Sequence, residues 1–261
     1  MKNLLFGLAS VFVLVSASLS TVHAAPVPGQ GTWQTSLQGR DLDGNAANGA
    51  EAFYDTILNI TWLSTPGIKG LQTWSSANAW ATSLSIGGYS GWRLPMMVDV
   101  GENGCTPDDC GYNVLTKSGD VTAPGGTTYS EMAHLFLVTL GNKSFFSPLP
   151  EREFQPDYGL VNTGDFHNFR SFAYWYETKF APNTSVAWML DTRDGGQYAL
   201  STHENLEYSL YATAVHPGDI GMAIPEPGTF ALLCAAFLGF APALIRRRRG
   251  APTSTRQALR P

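Results

Sequence analysis

The chain has 261 residues, of which 44% are hydrophobic, 12% aromatic and only 14% charged, with a formal net charge of −5. Its 7 Trp, 10 Tyr and 14 Phe supply enough apolar surface to offset chain entropy, which excludes a disordered chain. The negative charge excludes a nucleic-acid binder, because a polyanion would be repelled.

The chain opens on Met1-Lys2-Asn3, an uncharged run from Leu4 to Leu19, and Val22-His23-Ala24. A basic start, an apolar run and a small-x-small site predict a secretory signal peptide over 1–24, cut after Ala24, with a cut after Ala25 as the alternative. Residues 25–51 read as a lead-in. Within it Asp41, Asp43 and Asn45 alternate oxygen-bearing side chains, as calcium loops do. Ala46 stands where an EF-hand needs Gly and Ala52 where it needs Glu, which leaves an irregular calcium site or a solvated turn.

Ala52–Asp55 and Leu58–Trp62 predict two short strands around a turn. Thr73 to Leu84 places Trp74, Ala77, Ala81 and Leu84 on one helical face, and Gly87-Gly88 ends that helix. Trp92-Arg93-Leu94-Pro95 returns extended, since Pro95 forces Leu94 out of the helical region. Asp99 to Gly126 reads as a polar loop. An exported loop favours a Cys105–Cys110 disulfide, and Glu102, Asn103, Asp108 and Asp109 make it a second calcium candidate. A second helix is predicted from a capping box at Thr128 and Glu131 to a C′ residue at Gly141. After an irregular polar-aromatic stretch, Phe172–Glu177, Val186–Asp191, Gln197–Leu200 and Tyr208–Val215 read as strands. Two helices early and a mainly antiparallel sheet late make an α+β domain over 52–219.

Residues 220–227 form a linker. Gly228 to Ile245 is then a run of 18 residues without a charge, about the length that spans a bilayer. Arg246, Arg247, Arg248 and Arg249 follow, which predicts a transmembrane helix over 228–245 and a basic cytoplasmic tail over 246–261. Without both ends, Lys and Arg fall from 16 to 9 and Asp and Glu from 21 to 20, so the ectodomain carries about −11. Such a surface keeps it soluble and disfavours anionic partners.

The order Pro225-Glu226-Pro227, apolar helix, Arg cluster resembles the PEP-CTERM sorting tail of Gram-negative bacteria. The resemblance implies that an exosortase cuts near Pro-Glu-Pro and frees the ectodomain from the inner membrane to the cell surface or exopolysaccharide matrix. A second pattern runs through Leu58-Asn-Ile-Thr-Trp-Leu63, Ala79-Trp80, Gly88-Tyr-Ser-Gly-Trp-Arg-Leu-Pro95, Ala173-Tyr-Trp-Tyr176, Val186-Ala-Trp188 and Ala214-Val-His-Pro-Gly-Asp219. It resembles the DUF1566 domain, also called the Lcl C-terminal domain, and implies a C-type-lectin-like fold. His216 stands where that family often carries Arg.

Histidines 134, 167, 203 and 216 show no zinc-protease spacing, and no Gly-x-Ser-x-Gly elbow occurs. Glu177, Asp191 and Glu204 are the acids that a glycoside hydrolase would pair across strands. Gln155-Pro156-Asp157 matches a sugar-reading triplet of galactose-preferring C-type lectins. Arg93 is placed either to bind a carboxylate or to hold the core. Strand alternation puts Tyr174 and Tyr176 on one face and Trp175 on the other, where an exposed face would stack on sugar rings. The expectation is an exported, non-enzymatic protein that binds or organises extracellular polysaccharide, with Arg93, Tyr174, Trp175 and Tyr176 as contacts. A structural matrix protein without a ligand and an envelope glycan hydrolase are the rivals.

Overall fold

The computed structural model describes residues 25–97, 130–147, 153–180, 183–202 and 208–224. A short helix α1 (Trp33–Ser36) leads into strands β1 (Leu37–Asp41), β2 (Ala52–Asp55) and β3 (Ile60–Leu63). Helix α2 (Trp74–Ser83) follows, then α3 (Glu131–Ala133), which continues as a π-turn over His134–Thr139. The remaining strands are β4 (Ala173–Lys179), β5 (Val186–Asp191), β6 (Gly196–Ser201), β7 (Val215–Pro217) and β8 (Met222–Ala223). They form two antiparallel sheets, β7-β3-β2-β1-β8 and β4-β5-β6. The expected α+β class is what the chain adopts.

Local chemistry explains most of the elements. Asp55 Oδ1 accepts the amides of Ile57 and Leu58 in the β2–β3 turn, and Asn59 takes a left-handed φ of 53° that closes it. Thr73 caps α2 by accepting the Ser76 amide at 3.3 Å, while Ala77 and Ala81 point inward with no exposed area. The second helix is capped by Ser130, whose Oγ accepts the Ala133 amide at 3.0 Å. The Thr128 end of the expected capping box lies outside the described residues. Among the described residues, the Glu131 carboxylate faces Arg93. Gly141 ends the segment at φ 64°, where a Cβ would sit 2.6 Å from the Gly31 amide nitrogen, so glycine is required there.

Two expectations change. Residues 25–51 are no separate lead-in, because β1 lies inside the larger sheet between β2 and β8. Tyr208–Val215 is no strand, because its partner changes almost residue by residue. Leu210 pairs with Gln72 and Tyr211 with Ala173 and Trp175, while Ala212 and Ala214 accept amides from Gly67 and Leu63. That run stitches the two sheets together, and only Val215–Pro217 joins a ladder.

The central strands of both sheets carry buried residues on both faces. Phe53, Trp62, Tyr174, Tyr176, Trp188 and Leu190 share one core with Leu135 and Phe136 of the π-turn. Ala52, Leu63, Trp175 and Met189 share the other with Ala77 and Ala81 of α2 and with Trp92 and Leu94. The segment Trp92–Met97 lies between the sheets. Arg93 and Val215 exchange backbone hydrogen bonds at 2.9 and 2.8 Å, and the Glu177 amide donates to Pro95 O at 2.9 Å.

His134 is buried in the π-turn, with its ring nitrogen 3.2 Å from Thr139 Oγ1. Burial lowers its pKa below the ordinary 6.5, and the charge of Asp55 offsets part of that. The unfolded chain therefore takes up a proton that the fold resists. Stability from this group is complete above about pH 6.5 and declines as pH falls towards the folded value. Urea midpoints should drop between about pH 7 and 5, and His134→Asn should flatten that slope. An unchanged slope in the variant would contradict the assignment.

Candidate functional site

The expected sugar-contact residues are core residues. Tyr174, Trp175 and Tyr176 are each 0% exposed, so none offers a ring face to a ligand. The alternation held, but both faces of β4 are covered. Trp175 Nε1 donates to Gln72 O at 2.9 Å, and Tyr174 OH accepts the Arg170 amide at 2.8 Å. Tyr176 OH and Ser130 Oγ lie 2.6 Å apart and both reach Gln197 Oε1, at 2.6 and 2.8 Å. Burial pushes both tyrosine hydroxyls well above their ordinary pKa, so both stay protonated.

Arg93 is likewise committed to the protein. Its Nη1 and Nη2 donate to Glu131 Oε2 and Oε1 at 2.8 and 2.7 Å, and the Met96 amide donates to Glu131 Oε2 at 2.6 Å. Burial works against the guanidinium charge, but the bonds to Glu131 and the charges of Glu131 and Glu177 outweigh it and raise its pKa. Arg93 does bind a carboxylate bidentately, but the carboxylate is Glu131 of the same chain, so the contact holds the fold.

The acidic turn changes membership. The carboxylate oxygens of Asp41, Asp43 and Glu51 lie within 4.8 Å of one another, whereas Asn45 contributes a backbone amide. Glu51 arrives through the β1–β2 register, which pairs Arg40 with Ala52. The turn also satisfies itself. Asp41 Oδ1 accepts the Gly44 and Asn45 amides, Asp43 accepts the Asn45 amide and the Asn48 side chain, and Glu51 Oε2 accepts the Leu42 amide. Three converging carboxylates suit a hard oxygen-seeking cation such as calcium, and the same oxygens already hold the loop.

Asp191 sits opposite Ala173, while Glu177 lies further along β4, in the stretch between Trp175 and Lys179 where the β4–β5 register shifts. Asp191 holds Arg193 in a fork, with Arg193 Nη2 2.5 Å from Oδ2. The second calcium candidate (Glu102, Asn103, Asp108, Asp109), Cys105 and Cys110, His203, Glu204 and the tail residues Pro225, Glu226, Pro227 and Arg246–Arg249 lie outside the described residues. So does the apolar run 228–245. Among the described residues, no helix is long and apolar enough to cross a membrane.

Sequence reasoning missed the loop from Lys143 to Gly159, whose described parts fold back on each other. The Gly159 amide donates to Lys143 O at 2.8 Å, the Gln155 amide to Phe145 O at 2.9 Å, and the Ser147 amide to Glu153 O at 2.7 Å. This brings four rings together. Phe145 meets Phe146, Phe154 and Tyr158 edge to face at centroid distances of 4.7, 5.1 and 4.7 Å. Phe154 is 57% exposed, Tyr158 39% and Phe146 37%. Gln155 does not read a ligand, because its amide donates to the Ser144 and Phe146 carbonyls and braces the loop. The sequence signal was the aromatic spacing 145, 146, 154, 158, which is not periodic and becomes a cluster only when the loop doubles back.

A cleft of about 550 Å³ opens elsewhere, with the edge-to-face pair Phe53 and Phe166 among its walls and Asp165, His167 and Asn168 also lining it. Burial raises the Asp165 pKa above the ordinary carboxylate value, and the His167 charge partly offsets this.

No family model matches the chain, and neither a curated protein nor a solved structure matches it.

The two aspartates of the acidic turn should separate by substitution. Asp41 is 4% exposed and serves two amides, so Asp41→Ala should cost about 1–3 kcal/mol in urea unfolding. Asp43 is exposed, and Asp43→Ala should cost less than about 1 kcal/mol. Equal costs would show that the turn is not held through Asp41.

Proposed function

We propose that the protein is exported and non-enzymatic, and that it binds or organises extracellular polysaccharide at the cell surface or in the matrix. The observation that carries this reading is the ring cluster in which half-buried Phe145 holds the exposed rings of Phe146, Phe154 and Tyr158. Large rings held together in water are costly unless a ligand covers them. Sugar rings have apolar C–H faces that pack on aromatic surfaces, and a polymer offers that face repeatedly. Weak contacts at each ring then add up along the chain by avidity.

Export rests on the sequence. Residues 1–24 have the form of a signal peptide, and Pro225–Arg249 has the form of an exosortase sorting tail behind a single inner-membrane helix. The Gly88–Pro95 pattern supports a C-type-lectin-like assignment for the domain, through its resemblance to the DUF1566 family. Against the hydrolase rival, Asp191 is engaged in a fork with Arg193.

The exported protein should be retained on polysaccharide from the cells that make it. Phe154→Ala with Tyr158→Ala should weaken retention at least tenfold while the thermal midpoint moves by only a few degrees. Tyr174→Phe should leave retention intact. Absence of retention for the unmodified protein would favour a structural matrix role, and retention unaffected by the double substitution would remove the ring cluster as the site.

A further inference from the structure

We infer that Asn48 is a site of self-modification, at which its side chain condenses with the Gly49 backbone nitrogen and releases ammonia, and that the Asp43 carboxylate sets the rate by clamping that side chain. The Gly49 nitrogen attacks Asn48 Cγ and gives up its proton as the new N–Cγ bond forms, and the Cγ–Nδ2 bond breaks. Water then opens the cyclic succinimide at either carbonyl and leaves aspartate or isoaspartate. A water molecule is consumed and an ammonia released, so the step needs no oxidant, reductant or cofactor.

Three observations place the reaction. Asn48 and Gly49 lie in the connection between β1 and β2, where residues 43–49 are all exposed, and the single tight turn Ala46–Asn48 contains no buried residue. Such a turn has poor hydrogen-bond geometry and no apolar contact to hold it, so it opens at little cost. Gly49 has φ 98° and ψ −164°, and a Cβ there would meet nothing within 4 Å. Its nitrogen is approached from open space, and the backbone freedom of glycine lets that nitrogen turn towards Asn48 Cγ. Asn48 Nδ2 donates to Asp43 Oδ2 at 2.9 Å, which fixes the side chain beside its attacker.

The Asp43 bond is the restraint. Asp43 is itself held, because its Oδ1 accepts the Asn45 amide at 2.8 Å. Ring closure turns the Asn48 side chain back on its own main chain and so breaks the bond to Asp43. The product also changes the turn, since a donor to Asp43 is replaced by a carboxylate beside it. Asp41, Asp43 and Glu51 already hold oxygens within 4.8 Å of one another, so a fourth acid adds repulsion.

The test ages the intact protein at mildly alkaline pH and follows the tryptic peptide between Arg40 and Lys69 by mass spectrometry, with aspartate and isoaspartate separated by chromatography. The chain's other Asn-Gly pair, Asn103-Gly104, falls in a different peptide, between Arg93 and Lys117. Asn48 should convert to both acids in the folded protein. Asp43→Ala should convert roughly two- to tenfold faster, the range set by loss of one hydrogen bond. Asp43→Asn, which keeps an acceptor oxygen, should stay near the original rate. Asn48 that remains an amide in the folded protein, over a time in which the same peptide converts in urea, would overturn the site. Equal rates in Asp43→Ala and the unmodified protein would overturn the clamp.

Discussion

The Arg93 guanidinium grips both carboxylate oxygens of Glu131 while the Arg93 backbone exchanges two hydrogen bonds with Val215. Val215 belongs to the five-stranded sheet. Glu131 begins the helix whose cap, Ser130, is tied through Tyr176 and Gln197 to the three-stranded sheet. The pair thus spans the join between the two halves of the fold. The side chains are 20% and 14% exposed, so the ions are largely removed from water. A well-packed apolar pair of similar volume would be about as stable. The charged pair adds direction, because a planar fork meeting a carboxylate in two parallel bonds fixes the angle at which the helix meets the strand.

That join decides where function resides. Packing two sheets with helices around Trp92–Met97 consumes the aromatic residues of β4 and β5 on both faces. Tyr174, Trp175, Tyr176 and Trp188 are structural for this reason, and the surface is left to loops. Rings exposed on the Lys143–Gly159 loop and charges lining the Asp165 cleft are what the scaffold presents outward. A rigid core with ligand contacts on loops is a common division of labour in folded domains.

The elements were legible in the sequence where the signal was local. The α2 face, the Gly141 stop, the β2–β3 hairpin and β5 all depend on residues a few positions apart. What depends on long-range pairing was not legible. Nothing near Tyr208–Val215 announces that each residue finds a different partner, and nothing near Asp41 announces that Glu51 will close the acidic turn. The aromatic run at 172–176 has the same composition whether it faces water or core, and only the covering of both sheet faces decides between them. Arg93 shows the same limit, since its two readings differ by the position of Glu131, 38 residues further along the chain.

The most direct test is a double-mutant cycle on Arg93 and Glu131, with each residue replaced by Met singly and together and stability read from urea unfolding. If the pair joins the two halves, each single change strands a partner ion, and the double change costs less than the sum of the two. The coupling should be about 2–3 kcal/mol. Additivity within about 0.5 kcal/mol would contradict the account, because it would show that the two side chains act independently and that the sheets are joined by something else.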